Sequence, residues 1–286
     1  MRNFSTDKDR SIFSTYYSTE EPNIKVPNGS SVSLRARHCI LGQILYNFSM
    51  LEIKNISKTY GDQKAVNDLS LSIEKGSVFG FLGPNGAGKT TTIKILTGIN
   101  SPDEGRVEID GHSPEISSVR EKIGFKPEEP HFYEYLTGLE FMKFAGNLFE
   151  QSYKKTDDEY LEIMKSAGIY DARNKIVKNY SKGMRQRLGF AQATINDPEY
   201  IFLDEPLEGL DPIGRRELKD MVVRLKSQGK TMFFNSHILS DVEILCDKIG
   251  VIHQGKLIYT GSVPEFCRGK NLEDRFVDEI EKINNS

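Results

Sequence analysis

Several features that would assign a chain to a specialised class are scarce in this sequence. Its three cysteines, Cys39, Cys246 and Cys267, are odd in number and have no metal-type spacing, which fits a reducing compartment. The formal net charge of -3 gives no overall basic surface of the kind that binds nucleic acid. The sequence has no run of about 18 or more apolar residues, so we expect no membrane span. Any action at a membrane would therefore need another chain to supply the span.

The composition is otherwise that of a globular protein, long enough at 286 residues to bury one large core or two smaller ones. Residues 1–49 differ from the rest. Residues 1–31 are polar and lack a sustained apolar period, so we expect a disordered N-terminal extension over residues 1–49. A targeting arm or a partner-binding helix is the alternative, but Met50 directly precedes the first convincing strand, which favours a dispensable extension. Residues 265–286 predict a short helical tail.

A glycine-rich segment, residues 83–90, reads Gly-Pro-Asn-Gly-Ala-Gly-Lys-Thr and lies between an apolar run and a helix-like stretch. This is the context that the phosphate-binding loop G-x-x-x-x-G-K-[ST] requires. Its glycines allow successive N–H groups to point into one concavity, and the helix N-terminus adds its positive dipole end. Lys89 would reach the β- and γ-phosphates, and the Thr90 hydroxyl would hold Mg²⁺. The residues expected to contact the phosphates are Gly83, Pro84, Asn85, Gly86, Ala87, Gly88, Lys89, Thr90 and Thr91.

Apolar runs that alternate with helix-like segments predict the architecture. Residues 51–56 predict an edge strand. Residues 77–82 and 200–203 are near-continuous apolar runs, typical of strands that are covered on both faces. About residues 130–195 contain helix signals and no strand. We therefore expect an α/β fold with a mainly parallel sheet, an antiparallel β edge and an α-helical insert subdomain over about residues 130–195.

Two acidic residues follow the second of these apolar runs. Asp204 lies at the C-terminal end of the predicted strand, where the sites of open α/β sheets collect, and is placed to hold Mg²⁺. Glu205 would point to the opposite side, because adjacent strand residues alternate, and could serve as general base for an attacking water. Acidic strand ends are weak evidence alone. Together with a phosphate-binding loop they predict a site for phosphoryl chemistry.

Five motifs occur in an order that identifies a family. Besides the phosphate-binding loop they are residues 180–187 (Tyr-Ser-Lys-Gly-Met-Arg-Gln-Arg), Asp204-Glu205-Pro206, Gly209-Leu210-Asp211 and His237. The chain resembles the ATPase subunit of an ATP-binding-cassette (ABC) transporter, so we expect an ABC ATPase domain over residues 50–264. The Tyr-Ser-Lys-Gly-Met segment is similar to that of bacterial antibiotic and multidrug exporters. The resemblance implies a P-loop NTPase fold, with ATP and Mg²⁺ as ligands.

The resemblance also implies roles for single residues. Tyr60 matches the aromatic residue that stacks on adenine, and His237 matches the switch histidine that contacts the γ-phosphate. Ser181 and Gly183 match the signature motif, which completes the ATP site of the opposite subunit. Asp211 matches the acid of the loop that crosses between subunits, and it is also placed to cap a helix. On this basis the catalytic residues are Glu205, His237 and Lys89, and the metal ligands are Thr90, Asp204 and Glu128.

Two departures from the family pattern affect the site. Glu128 stands where the family usually has glutamine. A carboxylate can accept from a metal-bound water but, when ionised, cannot donate a hydrogen bond, which supports metal contact and leaves γ-phosphate sensing open. Lys182 replaces the first signature glycine, and it either adds positive charge near the phosphates or faces solvent. We favour the solvent-facing alternative.

The resemblance implies an assembly as well. Two copies would close head to tail on two ATP molecules, and hydrolysis would drive a separate transmembrane permease, as in an exporter. The protein would lie peripherally at the cytoplasmic face of the membrane, with the permease docking near residues 133–149 and with no nucleic-acid partner. The alternative is a soluble ABC-type ATPase acting on ribosomes or nucleic acid, although such proteins typically have two cassettes or long coiled-coil inserts. A kinase or GTPase is disfavoured by the signature and switch residues.

Overall fold

The structure, a computed structural model, describes residues 50–149 and 155–285. The extension predicted for residues 1–49 lies outside the described residues. Within the described part the strands are β1 (Met50–Tyr60), β2 (Gln63–Glu74), β3 (Val78–Leu82), β4 (Glu104–Ile109), β5 (Ile123–Lys126), β6 (Tyr200–Asp204), β7 (Thr231–Asn235), β8 (Lys248–His253) and β9 (Lys256–Ser262). The helices are α1 (Lys89–Leu96), α2 (Ser117–Arg120), α3 (Gly138–Gly146), α4 (Asp157–Ser166), α5 (Lys182–Ala193), α6 (Pro212–Ser227), α7 (Leu239–Leu245), α8 (Val263–Cys267) and α9 (Leu272–Asn284).

The larger sheet has six strands in the order β5-β6-β7-β3-β8-β9. Its first five strands are parallel, and β9 pairs antiparallel with β8 at one edge. Because the parallel strands all run the same way, their C-terminal ends meet along one edge, where sites in open α/β sheets form. The predicted fold, mainly parallel with an antiparallel edge, is confirmed.

The smaller sheet is antiparallel, with three strands in the order β2-β1-β4. Leu51 of β1 lies opposite Ile73 on one side and Ile109 on the other. The prediction of an edge strand over residues 51–56 was therefore wrong, because β1 is central. Alternating apolar residues indicate that one face of a strand is covered, but they do not indicate whether one or both of its edges are paired.

The six-stranded sheet is covered on both faces, and this explains its apolar strands. On one face Phe79, Phe81 and Phe233 form a core with the small sheet and α1, with 5.2 Å between the ring centroids of Phe81 and Phe233. On the other face Leu82 and Phe234 pack with helices α3 to α9. Residues from both faces of one strand are thus buried, as its near-continuous apolar sequence predicts.

Helices α3, α4 and α5 lie in the segment predicted as a helical insert. Helices α3 and α4 each begin with a capping box, formed by Thr137 with Glu140 and by Thr156 with Glu159. These boxes satisfy amide groups that a helix start otherwise leaves unpaired. After β9 the chain forms α8 and α9, and side chains of α9 pack against the core. Among the described residues no helix combines the length and the apolar character needed to cross a bilayer.

Replacing Thr137 by alanine should lower the free energy of unfolding by about 1 kcal/mol, because the Thr137 side chain accepts a hydrogen bond from the Glu140 amide. Urea denaturation would measure the change. The matched control is Thr137→Ser, which keeps the hydroxyl and should stay close to the wild type. An equal loss in both variants would contradict the capping role of this hydroxyl.

Candidate functional site

The segment between β3 and α1 folds into a tight loop that excludes side chains at defined points. Gly86 and Gly88 have φ values of 78° and 109°, which L-residues rarely adopt. A Cβ on Gly88 would lie 2.2 Å from the Ala65 carbonyl oxygen, and one on Gly83 would lie 2.4 Å from the Ile252 carbonyl oxygen. Glycine is required at these positions because the backbone of neighbouring strands approaches so closely.

The hairpin turn between β8 and β9 supports this loop from outside. The Gly255 amide donates to the Ala87 carbonyl at 3.0 Å, and the Gly255 carbonyl accepts from the Asn67 amide at 2.8 Å. One turn is therefore bonded both to the loop and to strand β2 of the small sheet. These bonds hold the loop in place between the two sheets.

Helix α1 begins at Lys89, directly after the loop, and it has no acidic residue in its first turn. Its N-terminal amides and the positive end of its dipole thus favour an anion. Lys89 is buried, and its Nζ donates to the carbonyls of Gly83 at 2.7 Å and Pro84 at 3.2 Å. Burial lowers the pKa of Lys89, whereas the carboxylates of Glu205 and Asp204 act in the opposite direction.

The two acidic residues after β6 differ in backbone and surroundings. Asp204 is the last residue of β6 and is buried, and its Oδ1 accepts a hydrogen bond from Asn235 Nδ2 at 2.9 Å. Glu205 lies outside the strand with φ of 45°, and its amide donates to the Asn235 carbonyl at 3.1 Å. Because the chain turns into a left-handed conformation at Glu205, the strand alternation assumed from the sequence does not extend to this residue, and both side chains line the same cleft.

Glu205 is held by His237. Its Oε2 accepts a hydrogen bond from the His237 amide at 3.1 Å and lies 2.8 Å from His237 Nδ1. Burial raises the pKa of Glu205, and the contacts with His237 and Lys89 partly offset this effect. A buried carboxylate with a raised pKa at the edge of a cleft suits a group that takes up a proton.

These groups surround one cleft of about 720 Å³. The predicted residues that line it are Tyr60, Asn85, Gly86, Gly88, Lys89, Thr90, Thr91, Glu128, Asp204, Glu205 and His237. Three further residues, Gln63, Ala65 and Glu208, also line it and were not predicted. The structure thus brings together residues from both sheets and from five separate stretches of sequence.

Carboxylates dominate one side of the cleft. Burial, followed by the carboxylates of Asp204 and Glu208, raises the pKa of Glu128. Lys126, at the end of β5, is fully buried, and its burial lowers the pKa to about 8 although Asp204 and Glu128 oppose the change. Lys89 and Lys126 interact electrostatically with these carboxylates, and a cleft rich in carboxylates suits a ligand that brings cations with it.

The donor set fits Mg²⁺ bound together with phosphates. Thr90, Asp204 and Glu128 provide hydroxyl and carboxylate oxygens, the ligands that Mg²⁺ prefers. Among the described residues, no cluster of three or more acidic, histidine or cysteine side chains is arranged to hold a metal by itself. This is expected for Mg²⁺, which usually takes one or two carboxylates and completes its shell with water and substrate phosphate.

Tyr60 lies at the C-terminal end of β1, at the rim of the cleft. Its side chain is 48% exposed, and its hydroxyl accepts a hydrogen bond from Asn100 Nδ2 at 2.7 Å. The ring is thus held at its polar end while much of its surface stays accessible. Such a ring can stack on a planar ligand.

Six of the predicted site residues do not line the cleft. Gly83, Pro84 and Ala87 belong to the glycine-rich loop itself, whereas Ser181, Gly183 and Asp211 lie elsewhere in the chain. Ser181 is the N-cap of α5 and its side chain accepts from the Met184 amide at 3.2 Å. Asp211 is the N-cap of α6 and accepts from the Gly214 amide at 2.9 Å. Both residues therefore begin helices outside the cleft of their own chain.

Asn235→Ala should lower the free energy of unfolding by about 1–3 kcal/mol, because it leaves the buried Asp204 carboxylate without its amide donor. Denaturant titration would measure the loss. The control is Asn174→Ala, which alters an exposed asparagine and should cost less than about 0.5 kcal/mol. Equal losses in the two variants would mean that the hydrogen bond between Asn235 and Asp204 does not contribute to the free energy of unfolding beyond what an exposed side chain does.

Comparison with known proteins gives consistent results. A family model described as ABC transporter matches residues 66–208. An ABC transporter ATP-binding protein of Nostoc sp. is 46% identical over 214 residues, which are 73% of this chain and 64% of that protein. The lantibiotic transport ATP-binding protein SrtF of Streptococcus pyogenes is 40% identical over 231 residues, 81% of this chain and 97% of that protein. The bacitracin transport ATP-binding protein BcrA of Bacillus licheniformis is 40% identical over 213 residues, 73% of this chain and 69% of that protein.

Solved structures share the fold. The ATP-binding subunit of an ABC transporter superposes with a TM-score of 0.73 at 27% identity, covering 80% of this chain and 98% of that one. The ATP-binding cassette MJ0796, in a dimeric post-hydrolysis state with ADP and Pi, gives a TM-score of 0.70 at 25% identity, covering 74% and 98%. The chain spans just under two thirds of the Nostoc relative, at 64% of its length, but nearly all of SrtF. The P-loop NTPase fold and the family resemblance are confirmed, and this chain belongs to the ABC transporter family of ATP-binding proteins.

Proposed function

We propose that this chain binds ATP with Mg²⁺ and hydrolyses it in order to drive a separate membrane permease. The observation that carries the proposal is a single cleft that combines a glycine-rich loop, a buried lysine and a carboxylate held by a histidine. The loop and the N-terminus of α1 suit a chain of phosphates. The carboxylate suits activation of a water beside them.

Each residue of the cleft then has a defined task. Lys89 leaves the loop carbonyls and contacts the terminal phosphates, and the loop amides hold the remaining phosphate oxygens. Thr90, Asp204 and Glu128 would hold Mg²⁺, which would offset negative charge on the phosphates. Glu205 accepts the proton of the attacking water, and His237 holds Glu205 in position and contacts the γ-phosphate.

A second copy of the chain is proposed to complete each site. Ser181 and Gly183 lie at a helix N-terminus that does not line the cleft of their own chain, and such a terminus is suited to an anion. In a head-to-tail pair the signature segment of one copy would cover the phosphates bound by the other. The MJ0796 cassette, which has a similar fold, forms a dimer. ATP would favour the closed pair because it contacts both copies there.

The permease is proposed to contact the helical insert. Tyr135 and Leu148 are 87% and 73% exposed, and Tyr133 packs edge-on against Phe144 with 4.8 Å between ring centroids. Exposed aromatic and aliphatic side chains that lie close together are typical of a protein-binding surface. Transport of a lantibiotic and of bacitracin, named for two relatives, favours an exporter at the cytoplasmic face of the membrane.

The test is co-expression with the permease followed by purification from detergent-solubilised membranes. We expect the chain to co-purify with a membrane protein, to hydrolyse ATP only with Mg²⁺, and to lose the membrane protein when Tyr135 and Leu148 are replaced by aspartate. ATP hydrolysis without any associated membrane protein would support the soluble ABC-type ATPase instead. The net charge of -3 gives that alternative no support, since a ribosome or nucleic acid attracts basic surfaces.

A further inference from the structure

Lys182, the second residue of the Ser-Lys-Gly-Met segment, is exposed to solvent as expected, but its side chain also has a partner. Its Nζ pairs with Glu208 Oε1 at 2.8 Å. Lys182 is the first residue of α5, whereas Glu208 belongs to the loop between β6 and α6. The pair therefore joins two segments that are distant in sequence and that carry different parts of the proposed site.

The aliphatic stem of Lys182 makes a second contact with that loop. Gly209 has φ of 70°, and a Cβ added there would lie 2.5 Å from Lys182 Cδ and Cε. The stem is thus packed directly over the loop backbone. Next to it, Leu210 is buried, and its Cδ2 lies 3.6 Å from the position that a Cβ on Gly183 would take. The start of α5 and the loop are fitted to one another by packing as well as by charge.

The loop of residues 205–211 connects strand β6, which ends at the cleft, with helix α6. It begins with Glu205, the proposed general base, and ends with Asp211, the cap of α6. Between them Glu208 lines the cleft. Its carboxylate accepts a hydrogen bond from Lys182 and lies beside Glu128. A shift of α5 would therefore be transmitted through Lys182 to a residue of the cleft and to the loop that carries Glu205.

We propose that Lys182 is a positioning residue, which through Glu208 fixes residues 205–211 relative to the signature segment. The inference rests on the proposed function, in which Ser181 covers the cleft of a second copy while Glu205 and Glu208 belong to the cleft of their own chain. The Lys182–Glu208 pair then couples two movements. One is that of the signature segment, which covers the ATP bound by the second copy, and the other is that of Glu205, the base that acts on the ATP bound by its own chain. Lys182 contacts no phosphate in this role.

The pair is partly exposed, with side-chain exposures of 58% for Lys182 and 34% for Glu208, so it contributes little to folding stability. Its effect should therefore appear in turnover. Lys182→Met keeps the stem over Gly209 and removes only the charge, Glu208→Gln removes the partner, and Lys182→Arg keeps the ion pair. Lys248→Met is the matched control, because Lys248 pairs with Glu74 at the same 2.8 Å, at the start of β8 and away from the cleft.

The experiment compares kcat, KM for ATP, the Hill coefficient and the melting temperature of these variants and of the double variant Lys182→Met/Glu208→Gln. We expect each single variant to lower kcat by about tenfold and to reduce cooperativity in ATP, with KM within about twofold of the wild type. The double variant should be no slower than either single variant, because both changes break one interaction. Lys182→Arg and Lys248→Met should match the wild type, and all melting temperatures should agree within about 2 °C.

Multiplied losses in the double variant would overturn the inference, since they would mean that Lys182 and Glu208 act independently. An increase in KM for ATP in Lys182→Met alone would overturn it as well, because it would indicate direct contact with phosphate. Wild-type kinetics in both single variants would also overturn the inference. A wild-type chain that neither binds nor hydrolyses ATP would instead contradict the proposed function.

Discussion

Replacing Glu205 by glutamine is expected to stop ATP turnover while leaving ATP binding intact. The amide has the same shape as the carboxylate but cannot accept the proton of the attacking water, so kcat should fall by about 10²–10⁴-fold. The residues that contact the phosphates are unchanged, and the affinity for ATP should stay within about twofold of the wild type. Phosphate release and equilibrium binding of a fluorescent ATP analogue would measure the two quantities separately.

The same variant should accumulate as a closed pair in ATP and Mg²⁺, because the phosphate contacts that join the two copies are no longer removed by hydrolysis. Light scattering should then show a dimer that disappears without Mg²⁺. Glu199→Gln is the matched control, since Glu199 precedes β6, pairs with Lys75 and lies outside the cleft. Turnover of Glu205→Gln at the wild-type rate would remove Glu205 from the role of general base.

Lys89→Ala is expected to weaken ATP binding by about 100-fold or more. The variant removes a buried cation that would contact the terminal phosphates, and charge-assisted hydrogen bonds of this kind are worth about 1.5–3 kcal/mol each. It also removes the two bonds from Nζ to the loop carbonyls of Gly83 and Pro84, so the loop loses part of its support. Isothermal titration calorimetry with ATP and Mg²⁺ would measure the change.

Lys94→Ala provides the control for charge. Lys94 lies on the same helix, α1, but is exposed and outside the cleft. Its loss should change the affinity for ATP by less than about twofold, because exposed charges are strongly screened. Equal weakening by both variants would mean that the helix contributes only general positive charge, and undiminished affinity in Lys89→Ala would contradict the phosphate-binding loop.

The sequence predicts the local parts of this molecule well, because their signals are contiguous. The strand, loop and helix around Gly88 are encoded within about twenty residues, and the buried strand before Asp204 is recognisable from its apolar run. Asp211 was expected to cap a helix, and it is the N-cap of α6. Each of these features depends on residues that are close in sequence, so no knowledge of the tertiary fold is needed.

The parts that were missed depend on contacts between distant residues. Strand β1 is central because it pairs with β4 as well as with β2, and no local sequence pattern predicts the pairing with β4. The left-handed conformation of Glu205 is set by the turn out of β6, where strand alternation ends. Asn235 could have been found as a partner of Asp204, because both residues end neighbouring parallel strands. Glu208 and Gln63 carry no motif, and their place in the cleft follows only from the tertiary arrangement.

The hairpin turn at Gly255 determines when, during synthesis of the chain, the phosphate-binding loop can take its shape. That turn bonds to Ala87, and Ile252 crowds both Gly83 and Gly88, so the phosphate-binding loop is shaped by residues made some 170 positions later. A nascent chain that ends before this turn contains the loop sequence but lacks the contacts that shape the loop. We therefore expect competence to hold a nucleotide to arise only once the chain has been synthesised past Gly255.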